Sequence, residues 1–237
     1  YDTSGSYLYE FGSHGKVRCT FNHPFDVALQ EEGDIFVSDR NNHRIQRFTE
    51  EGEYISSFGS FGDSTGEFNT PCGIDIIGNQ IAVSDRENDR VQILSLSGET
   101  KRTIESEFNR PYDVGFDSDT SLYVVDCNMH RVQKFDRFGN HLLTVYNDSL
   151  KLPMGCEVSD ALYVSDTHNN RMLKFRGWFS LSETDRFRMF ENLLSRKNSL
   201  SCVYPNPCSK EVKIYMETQS KINIATQNVE SSGGAVS

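Results

Sequence analysis

Between Ile35 and Phe48 the chain reads IFVSDRNNHRIQRF, with β-branched and aromatic residues alternating with polar ones on both sides of an Asn-rich centre. Alternation with period two and this composition predicts strands rather than a helix. The Asn-rich centre predicts a tight hairpin turn, because Asn tolerates left-handed backbone angles and Asp bonds nearby amides. The pattern returns at Ile81–Leu94, Leu122–Phe135 and Leu162–Phe175, each time with Asp and Arg five apart. The aspartates Asp39, Asp85, Asp126 and Asp166 are spaced by 46, 41 and 40 residues. Such a period fits propeller blades or helical arrays, and the strand composition decides for blades.

Two further marks complete each period. Upstream lies Pro-x-[Asp/Gly]-[Val/Ile], at Pro24, Pro71 and Pro111, with a looser version at Pro153. Downstream, Gly52, Gly98 and Gly139 each stand thirteen residues after the Asp and lead into another short apolar run, such as Tyr54–Phe58. Each period therefore supplies four strands, over residues 21–58, 68–104 and 108–145, while the fourth, 152–175, lacks its last strand. At the N-terminus, residues 1–5 match the end of a third strand and Ser6–Phe11 a fourth, so the chain is expected to begin inside an earlier repeat. Residues 1–178 thus form one all-β region, and 179–237 a divergent tail. In that tail the spacing of Phe187, Phe190, Leu193 and Leu194 behind an acidic first turn predicts a short helix over 183–195. Val212–Met216 and Ile222–Ile224 alternate as strands do, and the polar run from Gln227 to Ser237 is expected to be disordered.

Phe-Gly-Ser-x-Gly, then Phe-Asn-x-Pro, then Val-Ser-Asp-Arg-Asn-Asn-His-Arg-Ile-Gln-Arg-Phe resembles the NHL repeat, most closely the repeats that end TRIM-NHL proteins. The resemblance covers roughly Gly5 to Phe175. It implies a β-propeller of four-stranded blades, six in the intact protein, of which this chain would hold four complete repeats and a partial one. It also implies a cytoplasmic protein whose RING, B-box and coiled coil would lie upstream. Ubiquitin ligase activity and any oligomerisation would reside in those absent segments, and the propeller would select a target protein or RNA.

An apolar content of 36% suits a β-protein that buries one face of each strand. No apolar run approaches the roughly 20 residues needed to span a bilayer, so no membrane partner is expected. Residues 1–178 carry 17 Lys and Arg against 28 Asp and Glu, a net −11, and residues 179–237 carry 7 against 6, a net +1. An acidic body disfavours nonspecific nucleic-acid binding, DNA included, yet allows one basic face on an acidic scaffold. The six cysteines show no CxxC pair and no regular spacing, which favours reduced, structural thiols. Glycines in the run Gly59–Gly66 serve a turn between two strands rather than a phosphate site, since no helix follows them. The six histidines are scattered and show no zinc spacing. Asp26 and Asp113 could hold Ca²⁺ or act as acid and base, but Gly73 and Gly155 occupy the matching places, so no metal, cofactor or catalytic residue is assigned.

Strand reversal places the turns from second to third strand and the connections between blades on one rim. The repeating pairs Asp39 and Arg44, Asp85 and Arg90, Asp126 and Arg131, Asp166 and Arg171 are expected to brace the fold, the Asp accepting main-chain amides and the Arg tying adjacent blades. The residue after each proline instead varies, as Phe25, Cys72, Tyr112 and Met154. Phe25 and Tyr112, with Arg40, Arg86, Arg110, His43 and His130, form the expected ligand-binding face, suited to single-stranded RNA or to a protein. The alternative for the two aromatics is plain packing between blades. For the chain as a whole, the rival is a metal-dependent NHL-type enzyme, amidating-lyase-like or a hydrolase, with its site in the channel.

Overall fold

The computed structural model describes residues 7–145 and 150–175, together with the backbone of Ile214–Tyr215. The fold is all-β, a β-propeller built from antiparallel blades of four strands, and the described residues contain no α-helix. The chain divides into two compact units, residues 1–116 and 117–237.

The first unit holds two complete sheets. β1 (Pro24–Leu29), β2 (Ile35–Asp39), β3 (Arg44–Phe48) and β4 (Tyr54–Phe58) pair in that order, as do β5 (Pro71–Ile77), β6 (Gln80–Asp85), β7 (Arg90–Ser95) and β8 (Thr100–Ile104). β9 (Pro111–Phe116) follows and packs against β5, which itself packs against β1. The core between the two sheets is made by Ala28, Phe36, Ile45, Phe68, Ile74, Ile81, Val83 and Leu94. Their burial supplies the main driving force. In the second unit β10 (Leu122–Asp126), β11 (Arg131–Phe135) and β12 (His141–Val145) form one meander, and β13 (Pro153–Val158), β14 (Leu162–Asp166) and β15 (Arg171–Phe175) another. Tyr123, Val125, Val132, Leu143, Val145, Leu162, Val164 and Phe175 pack together there. A two-residue strand, β16 (Ile214–Tyr215), adds to the edge of β12.

Two expectations need correction. Residues 7–11 form no strand, because no other described segment offers them a ladder; Phe11 instead lays its ring 4.9 Å from that of Phe48. The hairpin between second and third strands is not a simple Asn turn. In three repeats it is a single 3₁₀ turn, Arg40–Asn42, Arg86–Asn88 and Thr167–Asn169, closed by a left-handed residue at His43, Asp89 and Asn170. The helix expected over 183–195 and the strand expected at Ile222–Ile224 lie outside the described residues.

Candidate functional site

The brace aspartates are fully buried. Asp39 accepts the Asn22 amide at 2.7 Å on one oxygen, and the Asn42 side chain and Arg44 Nε, both at 2.8 Å, on the other. Asp85 repeats this with the Asn69 amide at 2.6 Å, the Asn88 side chain at 2.9 Å and Arg90 Nε at 2.7 Å. Asp126 pairs with Arg131 at 2.8 Å. Asp166 takes the Lys151 amide at 2.7 Å, the Asn169 side chain at 2.9 Å and Arg171 Nε at 2.6 Å. Burial works to raise the Asp166 carboxyl, but these donors together hold it below its ordinary value. Two of the four arginines, Arg44 and Arg90, reach the loop before their own sheet and not the neighbouring sheet as expected. Arg44 donates to the Val17 and Thr20 carbonyls, and Arg90 to those of Asp63, Ser64 and Glu67, so each clamps the loop that leads into its own sheet.

A second set of bonds does link successive repeats. The left-handed residue that ends each hairpin turn accepts the amide of the residue preceding the next proline. His43 Nδ1 takes Thr70 N at 3.1 Å, Asp89 Oδ1 takes Arg110 N at 2.7 Å, and His130 Nδ1 takes Leu152 N at 3.0 Å. Thr70, Arg110 and Leu152 all have positive φ, at 62°, 58° and 45°, an uncommon conformation that these bonds help to hold. His43 and His130 thus commit one ring nitrogen to the scaffold. Burial lowers the affinity of His43 for a proton, against the opposing pull of Asp85, which suits its role as acceptor. Its ring also meets Phe61 edge-on at 4.9 Å.

The register of β1 with β2 shifts between Pro24 and Val27, and that of β5 with β6 between Pro71 and Ile74. Such irregularities re-aim side chains. Phe25, Cys72 and Tyr112 each follow the proline that opens β1, β5 or β9, and β5 lies between the other two strands. Cys72 is fully buried, and the Phe25 and Tyr112 rings meet edge-on with centroids 5.1 Å apart. Arg40 lies over the Phe25 ring at 5.6 Å and Arg86 over the Tyr112 ring at 5.4 Å, both within cation–π range. Glu87 pairs with Arg86 and, at 3.2 Å, with Arg110. Burial pushes the Cys72 thiol up to about 11, with Arg40 and Arg86 pulling it down and Glu87 and Asp113 pushing it up, so it is no nucleophile at neutral pH. Five of the seven residues expected on the ligand-binding face, Phe25, Arg40, Arg86, Arg110 and Tyr112, are therefore brought together in the first unit. His43 lies in that unit but serves the bond to Thr70, and His130 belongs to the second unit. Glu87, from a turn expected on this rim, and Cys72, from the place after its proline, join the cluster, although neither was assigned a ligand-binding role.

Asp26 and Asp113 are not free ligands for a cation. Asp26 accepts the Val27 and Ile74 amides, each at 2.8 Å, and burial raises its carboxyl against the pull of those amides. Asp113 takes the Val114 amide at 2.9 Å and abuts Gly73, where a Cβ would lie 2.5 Å from the Asp113 Cα. Among the described residues no three His, Cys, Asp or Glu side chains converge as a metal site.

Four-stranded sheets repeated at this period define a β-propeller, and the family model for the NHL repeat matches residues 21–48 and 108–135. The chain thus carries NHL repeats. It is 33% identical over 140 residues to Protein brain tumor of Drosophila melanogaster, covering 57% of this chain and 14% of that protein. To B-box type zinc finger protein ncl-1 of Caenorhabditis elegans it is 30% identical over 140 residues, 57% of this chain and 16% of that protein. To peptidyl-glycine alpha-amidating monooxygenase B of Xenopus laevis it is 30% identical over 184 residues, 68% of this chain and 21% of that protein. The chain thus spans about a seventh to a fifth of the length of these relatives. A streptogramin B lyase structure shares the fold, with a TM-score of 0.57 at 14% identity over 70% of this chain and 56% of that one.

Proposed function

We propose that this propeller is a recognition module, the target-binding part of a TRIM-NHL-type ubiquitin ligase or post-transcriptional regulator, and not itself an enzyme. The observation that carries the reading is the cluster of Phe25, Tyr112, Arg40 and Arg86, whose rings and guanidinium groups take no part in the brace bonds. An aromatic pair flanked by arginines suits a protein hot spot or a stacked base. Likeness to a B-box protein supports zinc modules elsewhere in the intact protein. A cytoplasmic setting belongs to the same proposal and accords with the free thiols of Cys19, Cys72, Cys127 and Cys156. Among the described residues, no helix is long and apolar enough to cross a membrane.

The test replaces Tyr112 and Arg40 with Ala, separately, and titrates each variant with single-stranded RNA and with candidate protein partners at two salt concentrations. Loss of binding with an unchanged unfolding midpoint supports the reading. Unaltered binding to every partner that the unmodified chain retains overturns it. The amidating-monooxygenase relative favours a second reading, a channel-site lyase. Among the described residues no three His, Cys, Asp or Glu side chains converge to hold the metal that such a site would need. Cleavage of a peptidyl α-hydroxyglycine by the purified chain would establish that reading instead.

A further inference from the structure

Arg40 and Arg86 occupy equivalent places, directly after the brace aspartates Asp39 and Asp85, yet their charges are handled differently. Glu87 neutralises Arg86 and also holds Arg110. The place of Glu87 is taken in the first repeat by Asn41, which bonds the His23 ring at 2.9 Å and brings no charge. Among the described residues no carboxylate lies within ion-pair distance of Arg40, whose guanidinium rests on the Phe25 ring alone. Its Nε, like that of Arg86, is enclosed without a hydrogen-bond partner, so the missing counter-ion is what sets Arg40 apart. A partly buried guanidinium that lacks both a counter-ion and a full set of acceptors is a receptor for an anion, because water serves it poorly there.

The surroundings decide which anion. Glu87 supplies one negative charge shared by Arg86 and Arg110, and Arg40 has none among the described residues, so the rim carries a short, partly compensated positive patch and not the stripe that would neutralise a run of phosphates. Beside it stands Phe25, 38% exposed, in edge contact with Tyr112, which offers apolar surface to whatever carries the anion. We infer that Arg40 and the Phe25–Tyr112 pair receive a single side-chain carboxylate, presented next to an apolar residue by a segment of a protein partner. This inference rests on the recognition reading given above and narrows it to one ligand chemistry.

The experiment follows the arginine Nε–Hε resonances of the ¹⁵N-labelled full chain, with Arg40 assigned through Arg40→Gln. The probe is an N-acetylated, C-amidated pentapeptide with a central glutamate between leucine and phenylalanine. Its counterparts carry glutamine at the centre, either amidated or with a free terminal carboxylate, and the last probe is an eight-nucleotide oligouridylate. Expected is a shift of the Arg40 resonance with the glutamate peptide, at an affinity about tenfold or more above that of the amidated glutamine peptide. The ratio falls to about one in Arg40→Gln. The comparison on the unaltered chain requires no variant to fold. Equal binding of the two amidated peptides, or a response to the oligouridylate alone, overturns carboxylate recognition and leaves the recognition face standing. A preference for the free-terminus peptide overturns the side-chain assignment. Silence of Arg40 and Arg86 to every probe overturns the inference, and the recognition reading then stands or falls on the partner titrations described above.

Discussion

Replacing Asp85 by Ala should cost the first unit about 3 kcal/mol. The carboxylate is fully buried and its partner Arg90 has a side chain 10% exposed, so the variant strands a cation in a dry site. Removing one member of a buried pair costs about 3–5 kcal/mol. Arg90 keeps its bonds to the Asp63, Ser64 and Glu67 carbonyls, which puts the cost at the lower end, while the Asn69 amide loses its acceptor. With a urea slope of about 2 kcal/mol per M, the midpoint falls by about 1.5 M. Asp85→Asn keeps an oxygen for the Asn69 amide but not the charge, and should fall in between. Urea unfolding followed by circular dichroism measures both, and Arg90→Met with the double variant completes a cycle. A midpoint shift below about 0.3 M for Asp85→Ala, or additivity of the two single changes within about 0.5 kcal/mol, would refute the argument that this pair holds the sheet to its lead-in loop.

Protonation of His43 removes the acceptor for the Thr70 amide. Because burial lowers its pKa in the folded state, its contribution is complete above about pH 6.5, the unfolded value, and is lost as pH falls through the folded value. His43→Asn, matching Asn170 at the same left-handed position, should flatten the pH dependence of the urea midpoint below pH 6.5; an unchanged slope would contradict this. At Gly73 an added Cβ would meet the Asp113 backbone, so Gly73→Ala should destabilise by about 1–3 kcal/mol and disturb the Tyr112 ring signals. An unperturbed aromatic spectrum would count against that close approach. Gly98 has φ of 89° and a Cβ there would lie 2.5 Å from the Phe58 side chain, so Gly98→Ala should lower the thermal midpoint, while Gly78→Ala, with open space around it, should pay only for its φ of 54°. Equal losses at both would show that packing against Phe58 adds nothing.

The strands were legible from their β-branched and aromatic composition and partial alternation, as at Ile45, Ile81 and Val83, whereas the core residues Phe36 and Leu94 fall between the alternating positions. The brace aspartates were legible too, since a residue repeated at a fixed place in every period answers to the scaffold. The direction in which Arg44 and Arg90 reach was not. Nothing in the spacing of an arginine says whether its terminal nitrogens find carbonyls of the neighbouring sheet or of the loop before their own. Cross-strand cations over aromatic rings were missed for a different reason. Arg47 over Phe36, Lys134 over Tyr123 and Lys174 over Tyr163 use pairs that lie eleven residues apart in sequence, and Ile93 beside Ala82 breaks the series in the second repeat.

The geometry of the rim follows from how the scaffold satisfies itself. The brace carboxylates and arginines bond one another and the repeating Asn, and with the left-handed acceptors at 43, 89 and 130 they spend their remaining bonds on backbone amides and carbonyls, which every residue except proline offers in full. Side chains next to the prolines are therefore exempt from the repeat, and the series Phe25, Cys72, Tyr112 can differ without loosening a sheet. Their difference is what makes a site. Phe25 and Tyr112, on the strands to either side of the one that carries the buried Cys72, meet edge-on. The same exemption leaves Asn41 where the next repeat has Glu87, and so leaves Arg40 charged and unpaired among the described residues. The proposed recognition face would thus owe its asymmetry to two departures from the repeat: a small residue between two aromatic ones, and a missing counter-charge beside them.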